Sequence, residues 1–328
     1  MSKERLRAAG AIHSVQVTAN GHPFHILECG QGPAVLFCHG FPDTALTWRS
    51  QLNAVAAAGY RAIALDMRGF GDSYSPADFH LYTSLHVVGD LVGVLDALQI
   101  DRAVVVGHDW GADYAQRACV MRPDRFGALV SVSIPFAPRG ERSLWEDLRA
   151  RGLDSYYAFD LGRTEADEQL LPARDTILSA LYWLSGSPPP GTGWDPIDPE
   201  LGMLRPSPVL CPEWADPAYV AHTIRTFERT GFHAGLNYYR VVQVTFDLTA
   251  AFKGATLRQP SLYIWGTQDG LCRFFHPTPP TDDELRAVQP NLIGQLRLDG
   301  VGHWPQHEAA DEFNASLLQF LHTLAAET

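Results

Sequence analysis

The apolar run Ala103-Val-Val-Val106 leads directly into Gly107-His108-Asp109-Trp110-Gly111-Ala112, and a helical pattern begins near Trp110. Small residues stand two before, two after and three after Asp109. A strand that turns sharply into a helix needs this spacing, because larger side chains would collide with neighbouring backbone. Such a turn pushes its central side chain into the open cleft above a sheet, and here that side chain is a carboxylate. The alternative is that Asp109 is only a helix N-cap, a position Asp favours.

The flanking chain has the rhythm of a parallel sheet covered by helices on both faces. Ala34 to Cys38 reads as a buried strand, Ser50 to Ala58 as the end of a helix and Arg61 to Leu65 as the next strand. Leu81 to Leu98 carries Val87, Leu91, Val94, Leu95 and Leu98 at helical spacing, and Ala128 to Ile134 reads as a further strand. From about Pro135 to Phe252 the strand signals stop. Helical patterns such as Tyr219 to Thr230 are mixed there with nine prolines between Ser185 and Pro217, which forbid a regular element and imply a long loop. Strand signals return at Ser261 to Trp265 and Ile293 to Leu298, and the chain closes with a helical run, Ala310 to Ala325. The expected organisation is an α/β core, 1–135 and 253–328, interrupted by a helical lid, 136–252.

Of the 328 residues, 46% are hydrophobic, enough for a large core. The net charge of −12 comes without a basic run, so nucleic acid and anionic lipid would be repelled. No apolar stretch follows the charged segment Met1 to Gly10, and no run of about 18 apolar residues occurs, so neither secretion nor membrane insertion is expected. Cys29, Cys38, Cys119, Cys211 and Cys272 are scattered with no Cys-x-x-Cys pair, which fits reduced thiols in a cytoplasm.

A carboxylate needs no base to attack an sp3 carbon bearing a leaving group, and the product is an alkyl ester. Two further residues complete the set. Asp269 follows the strand ending at Trp265 and is the candidate orienter; His303, in Gly302-His303-Trp304, follows the last strand and is the candidate base. The order nucleophile, acid, histidine is that of the α/β-hydrolase fold. In that fold the loop His39-Gly40-Phe41-Pro42 would supply one oxyanion-hole N–H, from Phe41, and Trp110 the other. A plain Gly-Pro turn is the alternative for this loop.

Over nearly the whole chain these motifs resemble the α/β-hydrolase epoxide hydrolases. The likeness is carried by His39-Gly-Phe-Pro42, Thr47-Trp-Arg49, Asp66-Met-Arg-Gly-Phe-Gly-Asp-Ser73, Gly107-His-Asp-Trp-Gly111 and Gly302-His-Trp304. It implies two lid tyrosines that donate to the epoxide oxygen. Leu236-Asn-Tyr-Tyr-Arg240 is similar to the usual Leu-Asn-Trp-Tyr-Arg and points to Tyr239. Ser155-Tyr-Tyr-Ala-Phe159 offers Tyr156 or Tyr157, with Tyr156 favoured, and departs from the family pattern at Asp160-Leu161. The resemblance implies conversion of an epoxide to a vicinal diol through an ester on Asp109, with no metal or organic cofactor, a small-molecule epoxide as partner and a homodimer as the oligomeric expectation. His39, Pro42, Trp183 and Trp304 are candidate pocket residues; Trp194, Phe274 and Phe275 either line the pocket or form the lid's own core.

Two alternatives share the fold. A haloalkane dehalogenase also has Trp after the nucleophile, but generally has Asn or Glu where this chain has Phe41, and lacks the tyrosine pair. Haloacetate dehalogenases usually carry Arg at the position of Trp110. A ligand receptor would keep the triad and turn over slowly or not at all.

Overall fold

The computed structural model describes residues 10–170 and 172–326. The reading of Met1 to Gly10 therefore falls, apart from Gly10, outside the described residues. Eight strands form one sheet: β1 (His13–Ala19), β2 (His22–Cys29), β3 (Ala34–Cys38), β4 (Arg61–Leu65), β5 (Ala103–His108), β6 (Phe126–Val132), β7 (Ser261–Gly266) and β8 (Leu292–Leu298). Their order is β1-β2-β4-β3-β5-β6-β7-β8, antiparallel at β1/β2 and β2/β4 and parallel from β4 onward.

The sequence reading starts the sheet at Ala34, and the structure adds β1 and β2 before it. β1, at the sheet edge, and β2 beside it are amphipathic, and their polar and part-exposed residues dilute the apolar signal. The turn Asn20-Gly21, with both residues at positive φ (52° and 81°), joins them into a hairpin. By contrast, every residue of β3 is buried, as both faces of a parallel strand are covered.

Helices α1 (Arg49–Ala57), α2 (Ser84–Ala97) and α3 (Trp110–Met121) alternate with the first strands. Between β6 and β7 come α4 (Leu144–Ala150), α5 (Tyr157–Leu161), α6 (Ala166–Gln169), α7 (Ala173–Trp183), α8 (Pro217–Thr230), α9 (His233–Arg240) and α10 (Val242–Leu248). The chain then continues through α11 (Gly270–Phe275), α12 (Asp282–Arg286), α13 (Pro305–Glu308) and α14 (Ala310–Ala326). One sheet face packs Val35, Phe37 and Ala64 against Leu52 of α1 and Phe313, Leu317 and Phe320 of α14. Each such side chain contributes about 1.5–3 kcal/mol of transfer free energy, so Phe37→Ala would cost about 3–5 kcal/mol. The other face, with Leu36, Ile63 and Val105, packs on α2 and α3 and continues without a break into the helices between β6 and β7.

Helix α8 shows how that inserted segment is tied down. The Asp216 carboxylate accepts the Ala218 N–H, Pro217 occupies the first turn and Gly231 closes the helix at φ 65°. Its buried stripe of Tyr219, Val220, Thr223, Ile224 and Phe227 faces the core; Phe227 meets Phe41 and Phe70 edge-on. The proline-rich stretch is ordered coil, with one short turn at Pro199–Leu201. It folds back onto the molecule through buried Trp194, whose N–H donates to the Trp183 carbonyl, and through the Pro196 carbonyl, which accepts the Tyr157 N–H (2.8 Å).

Candidate active site

The turn after β5 has the geometry its small residues imply. Asp109 sits at φ 53°, and a Cβ on Gly107 would lie 2.3 Å from the Gly111 carbonyl oxygen, while one on Gly111 would lie 2.2 Å from that of Cys38. Asp109 occupies the N-cap position of α3 but its side chain makes no cap hydrogen bond to that helix. Its Oδ1 instead accepts the Phe41 N–H at 2.9 Å, across the cleft from the loop that follows β3. The capping alternative thus lacks its defining bond.

Asp269 and His303 reach the same point from the ends of β7 and β8. Asp269 Oδ1 caps α11 by accepting the Leu271 N–H (2.9 Å), leaving Oδ2 to take the His303 Nδ1–H at 3.0 Å. His303 Nε2 then faces Asp109 Oδ2 at 3.8 Å, beyond hydrogen-bonding range. All three side chains are buried. Burial alone would disfavour the His303 cation, yet the charges of Asp269 and Asp109 outweigh it and raise His303 to about 9. Burial likewise presses Asp269 upward, but His303 and its hydrogen bonds hold it below the ordinary value. For Asp109, burial prevails and the carboxyl is raised, although His303 and the amides of Phe41 and Trp110 pull it back.

Four backbone restraints hold His303, and none of the groups supplying them was given a role from the sequence. The His303 N–H donates to the Leu184 carbonyl (2.9 Å), and its own carbonyl accepts from Ser133 Oγ (3.1 Å) and from His108 Nε2 (2.6 Å). Buried among apolar groups and beside His303, His108 is kept well below the ordinary imidazole value, so it is neutral and carries its proton on Nε2. The fourth restraint is Glu308. Its Oε2 accepts the N–H groups of Gly302 (2.9 Å) and Gly186 (2.7 Å), and Oε1 accepts that of Trp304 (2.9 Å). One carboxylate therefore grips both neighbours of His303 and a residue of the inserted segment. A charge five places beyond His303 has no periodicity that would reveal this role.

Tyr156, Tyr157 and Tyr239 come together over this cleft. Tyr239 lies edge-on to Trp110 (5.0 Å between ring centres) and to Phe41 (5.7 Å); Tyr156 lies 4.9 Å from Tyr157 and 5.0 Å from Phe274. Burial, reinforced by neighbouring charges and phenols, raises all three phenols above their ordinary value. The leading electrostatic neighbour of Tyr156 and of Tyr239 is Asp109, whereas that of Tyr157 is Tyr239.

A cavity of about 320 Å³ opens from Asp109 and Trp110 past Tyr156, Tyr157, Trp145 and Phe275 toward Arg139 and Arg142. Of the pocket residues expected from sequence Phe275 lines it, whereas His39, Pro42, Trp183 and Trp304 are turned to other contacts. His39 Nδ1–H donates to the Gly40 carbonyl (2.8 Å) and Nε2 accepts the Met67 N–H (3.1 Å), so it braces the Phe41 loop from below. Pro42 is buried in that loop. Trp304 donates to Asp43 Oδ2 (3.3 Å) and stacks on Trp214; Trp183 donates to the Arg205 carbonyl (2.8 Å) under the Arg205 guanidinium. Trp194 and Phe274 pack against Tyr157 and Tyr156 instead of opening on the cavity.

The sheet order, the strained turn and the acid–histidine pair define an α/β-hydrolase whose nucleophile position carries a carboxylate. Residues 33–168 match the α/β hydrolase fold family. An epoxide hydrolase of Caballeronia sordidicola is 52% identical over 97% of this chain and 96% of its own length. Epoxide hydrolase A of Mycobacterium tuberculosis is 34% identical over 95% of this chain and 98% of its own length. A solved epoxide hydrolase from an endophytic Streptomyces superimposes with a TM-score of 0.89 at 35% identity, covering 97% of each chain. The chain belongs to the α/β-hydrolase-fold epoxide hydrolases. Among its described residues no helix is long and apolar enough to cross a membrane.

Proposed function

We propose that this enzyme opens an epoxide to a vicinal diol in two steps, with the roles divided as follows. Asp109 Oδ1 is committed to the Phe41 amide, so Oδ2 attacks the epoxide carbon. The carbon–oxygen bond of the ring breaks as the ester bond forms, and Tyr156 and Tyr239 donate to the departing oxygen, one of them giving it its proton. Both phenols stay protonated at neutral pH because burial holds them above about 10. The position of Asp109 as the leading charge beside each supports choosing them over Tyr157.

The second step turns on electrostatics. Esterification removes the Asp109 charge, one of the forces that keep His303 protonated, so His303 falls from its resting value of about 9. The His303 proton passes to the tyrosinate left by the first step; neutral His303, oriented by Asp269, then takes a proton from water, and the resulting hydroxide adds to the ester carbon. Oδ1, now the ester carbonyl oxygen, already lies against the Phe41 N–H that would stabilise its negative charge. Collapse releases the diol and regenerates the carboxylate. Residues 136–252 are the lid in this reading, with 1–135 and 253–328 as the core. Free cysteines support a reducing, cytoplasmic setting. Light scattering tests the homodimer.

The observation that carries the proposal is an N-cap carboxylate that makes no cap bond, accepts instead the Phe41 amide and faces an Asp-held histidine. A single turnover in heavy-oxygen water tests it. The first diol should contain ordinary oxygen, and the label should enter Asp109. Labelled diol with unlabelled Asp109 would mean that water attacks the epoxide directly.

A further inference from the structure

The cavity that begins at Asp109 ends in an arrangement that the two-step reaction does not use. Five charged side chains besides Asp109 line it: Asp113, Arg117, Arg139, Arg142 and Asp147. Asp113 is consumed by a two-point pair with Arg117 (2.7 and 3.0 Å), and Asp147 faces Arg151 at 3.6 Å. Arg139 and Arg142 make no ion pair among the described residues. The nearby acids are engaged elsewhere: Glu141 pairs with Lys253, and Glu146 accepts the Ser143 N–H (2.7 Å) as part of the α4 cap, each feeling its arginine only as a weaker influence. A chain of net charge −12 thus carries a local positive excess at the outer end of its catalytic cavity.

Arg139 is also held in place. Its guanidinium lies 3.8 Å over the Phe246 ring, Nε and Nη2 donate to the Phe246 carbonyl (3.3 and 3.2 Å) and Nη1 donates to the Gly140 carbonyl (3.0 Å). Those bonds use one N–H on each nitrogen, so Nη1 and Nη2 each keep a second N–H. A planar fork with spare donors suits a carboxylate, and its immobility reduces the entropy lost on binding. Arg142 is exposed and adds a second, more adaptable charge at the rim. Between the arginines and Asp109 the wall is largely apolar, with Leu144, Trp145, Val241 and Phe246.

From this juxtaposition we infer that the enzyme's substrate is an amphipathic epoxide, with its oxirane at Asp109, an apolar body along the cavity and a carboxylate bound at Arg139 and Arg142. The inference rests on the epoxide hydrolase reading and adds the substrate's charge to it. A neutral substrate would need only the aliphatic stems of these arginines as wall.

The test uses terminal epoxides on straight chains of graded length, each made as the carboxylic acid and as its primary amide, with styrene oxide as a neutral reference. For the chain length that fits, kcat/KM for the acid should exceed that for the amide at least about tenfold at low salt, and the preference should shrink as salt screens the arginines. In Arg139→Gln/Arg142→Gln the acid-to-amide ratio should fall about tenfold or more, while Arg142→Lys should retain most of it. Arg142→Gln alone, at an exposed side chain, gives the same ratio test if the double variant folds poorly. Amides turned over as well as acids at every length, or a ratio indifferent to both Gln variants, would overturn the inference while leaving epoxide hydrolysis intact. No diol from any of these epoxides, whether acid, amide or styrene oxide, would instead sink the reading on which it rests.

Discussion

The two walls of the cleft are built on different principles. The core wall presents Asp109, Asp269 and His303 from the carboxyl ends of the parallel strands β5, β7 and β8 of one sheet, whose register sets all three positions. Each is further held by backbone, as in the four restraints on His303. The opposite wall presents Tyr156 just before the short helix α5 and Tyr239 on α9, and both are placed mainly by ring packing. In the proposed mechanism the groups that bond to carbon or activate water sit on the sheet frame, and the tyrosines that donate to the ring oxygen sit on the inserted segment.

If that division is right, the largest losses lie on the core wall. Asp109→Asn should abolish diol formation by about ten-thousandfold or more and form no covalent adduct by mass spectrometry, provided the amide is not hydrolysed back to Asp. His303→Gln should leave the first step running and stop the second. An adduct of enzyme plus substrate mass should then accumulate, and its absence would merge the two steps that the comparison keeps apart.

On the facing wall the expected effects are partial. Losing one donor to a developing oxyanion costs about 3 kcal/mol, so Tyr239→Phe and Tyr156→Phe should each slow alkylation roughly a hundredfold in single-turnover measurements. Tyr157→Phe should do less, since the leading electrostatic neighbour of Tyr157 is Tyr239 and not Asp109. A reversed ranking of Tyr156 and Tyr157 would reassign the donor.

Glu308 bridges both walls, and its variant should be milder still. Glu308→Gln keeps shape but loses an anion that accepts three N–H groups, at a cost of about 1–3 kcal/mol in stability by denaturant titration. Because Glu308 also helps to keep His303 protonated, the ester-hydrolysis step should reach its plateau at lower pH in the variant. An unchanged pH profile would reduce Glu308 to a structural clasp.

The smallest expected signal is in stability against pH. His303 is raised from 6.5 to about 9 in the fold, so its contribution is complete below about 6.5 and is lost as pH rises through about 9. Unfolding measured between these values should fall more steeply for the wild type than for His303→Gln.

The residues themselves determined the nucleophile turn, because steric exclusion at Gly107 and Gly111 is a local property that the spacing announces. The inner parallel strands β3 to β7 were legible for a similar reason: burial on both faces leaves apolar runs, whereas the amphipathic β1 and β2 left none. Tertiary structure alone decided which side chains line the cavity. His39, Trp183 and Trp304 carry chemistry suited to a pocket, yet each turns to a hydrogen-bond acceptor or donor elsewhere, and Arg139 and Trp145 take the wall beside Phe275, which the sequence had offered. The direction in which a side chain points off a coil or a short helix depends on contacts far away in the chain, and no local spacing encodes that. Glu308 follows the same logic, since its three partners lie at 186, 302 and 304 and meet only when the inserted segment is folded against the loop that carries His303.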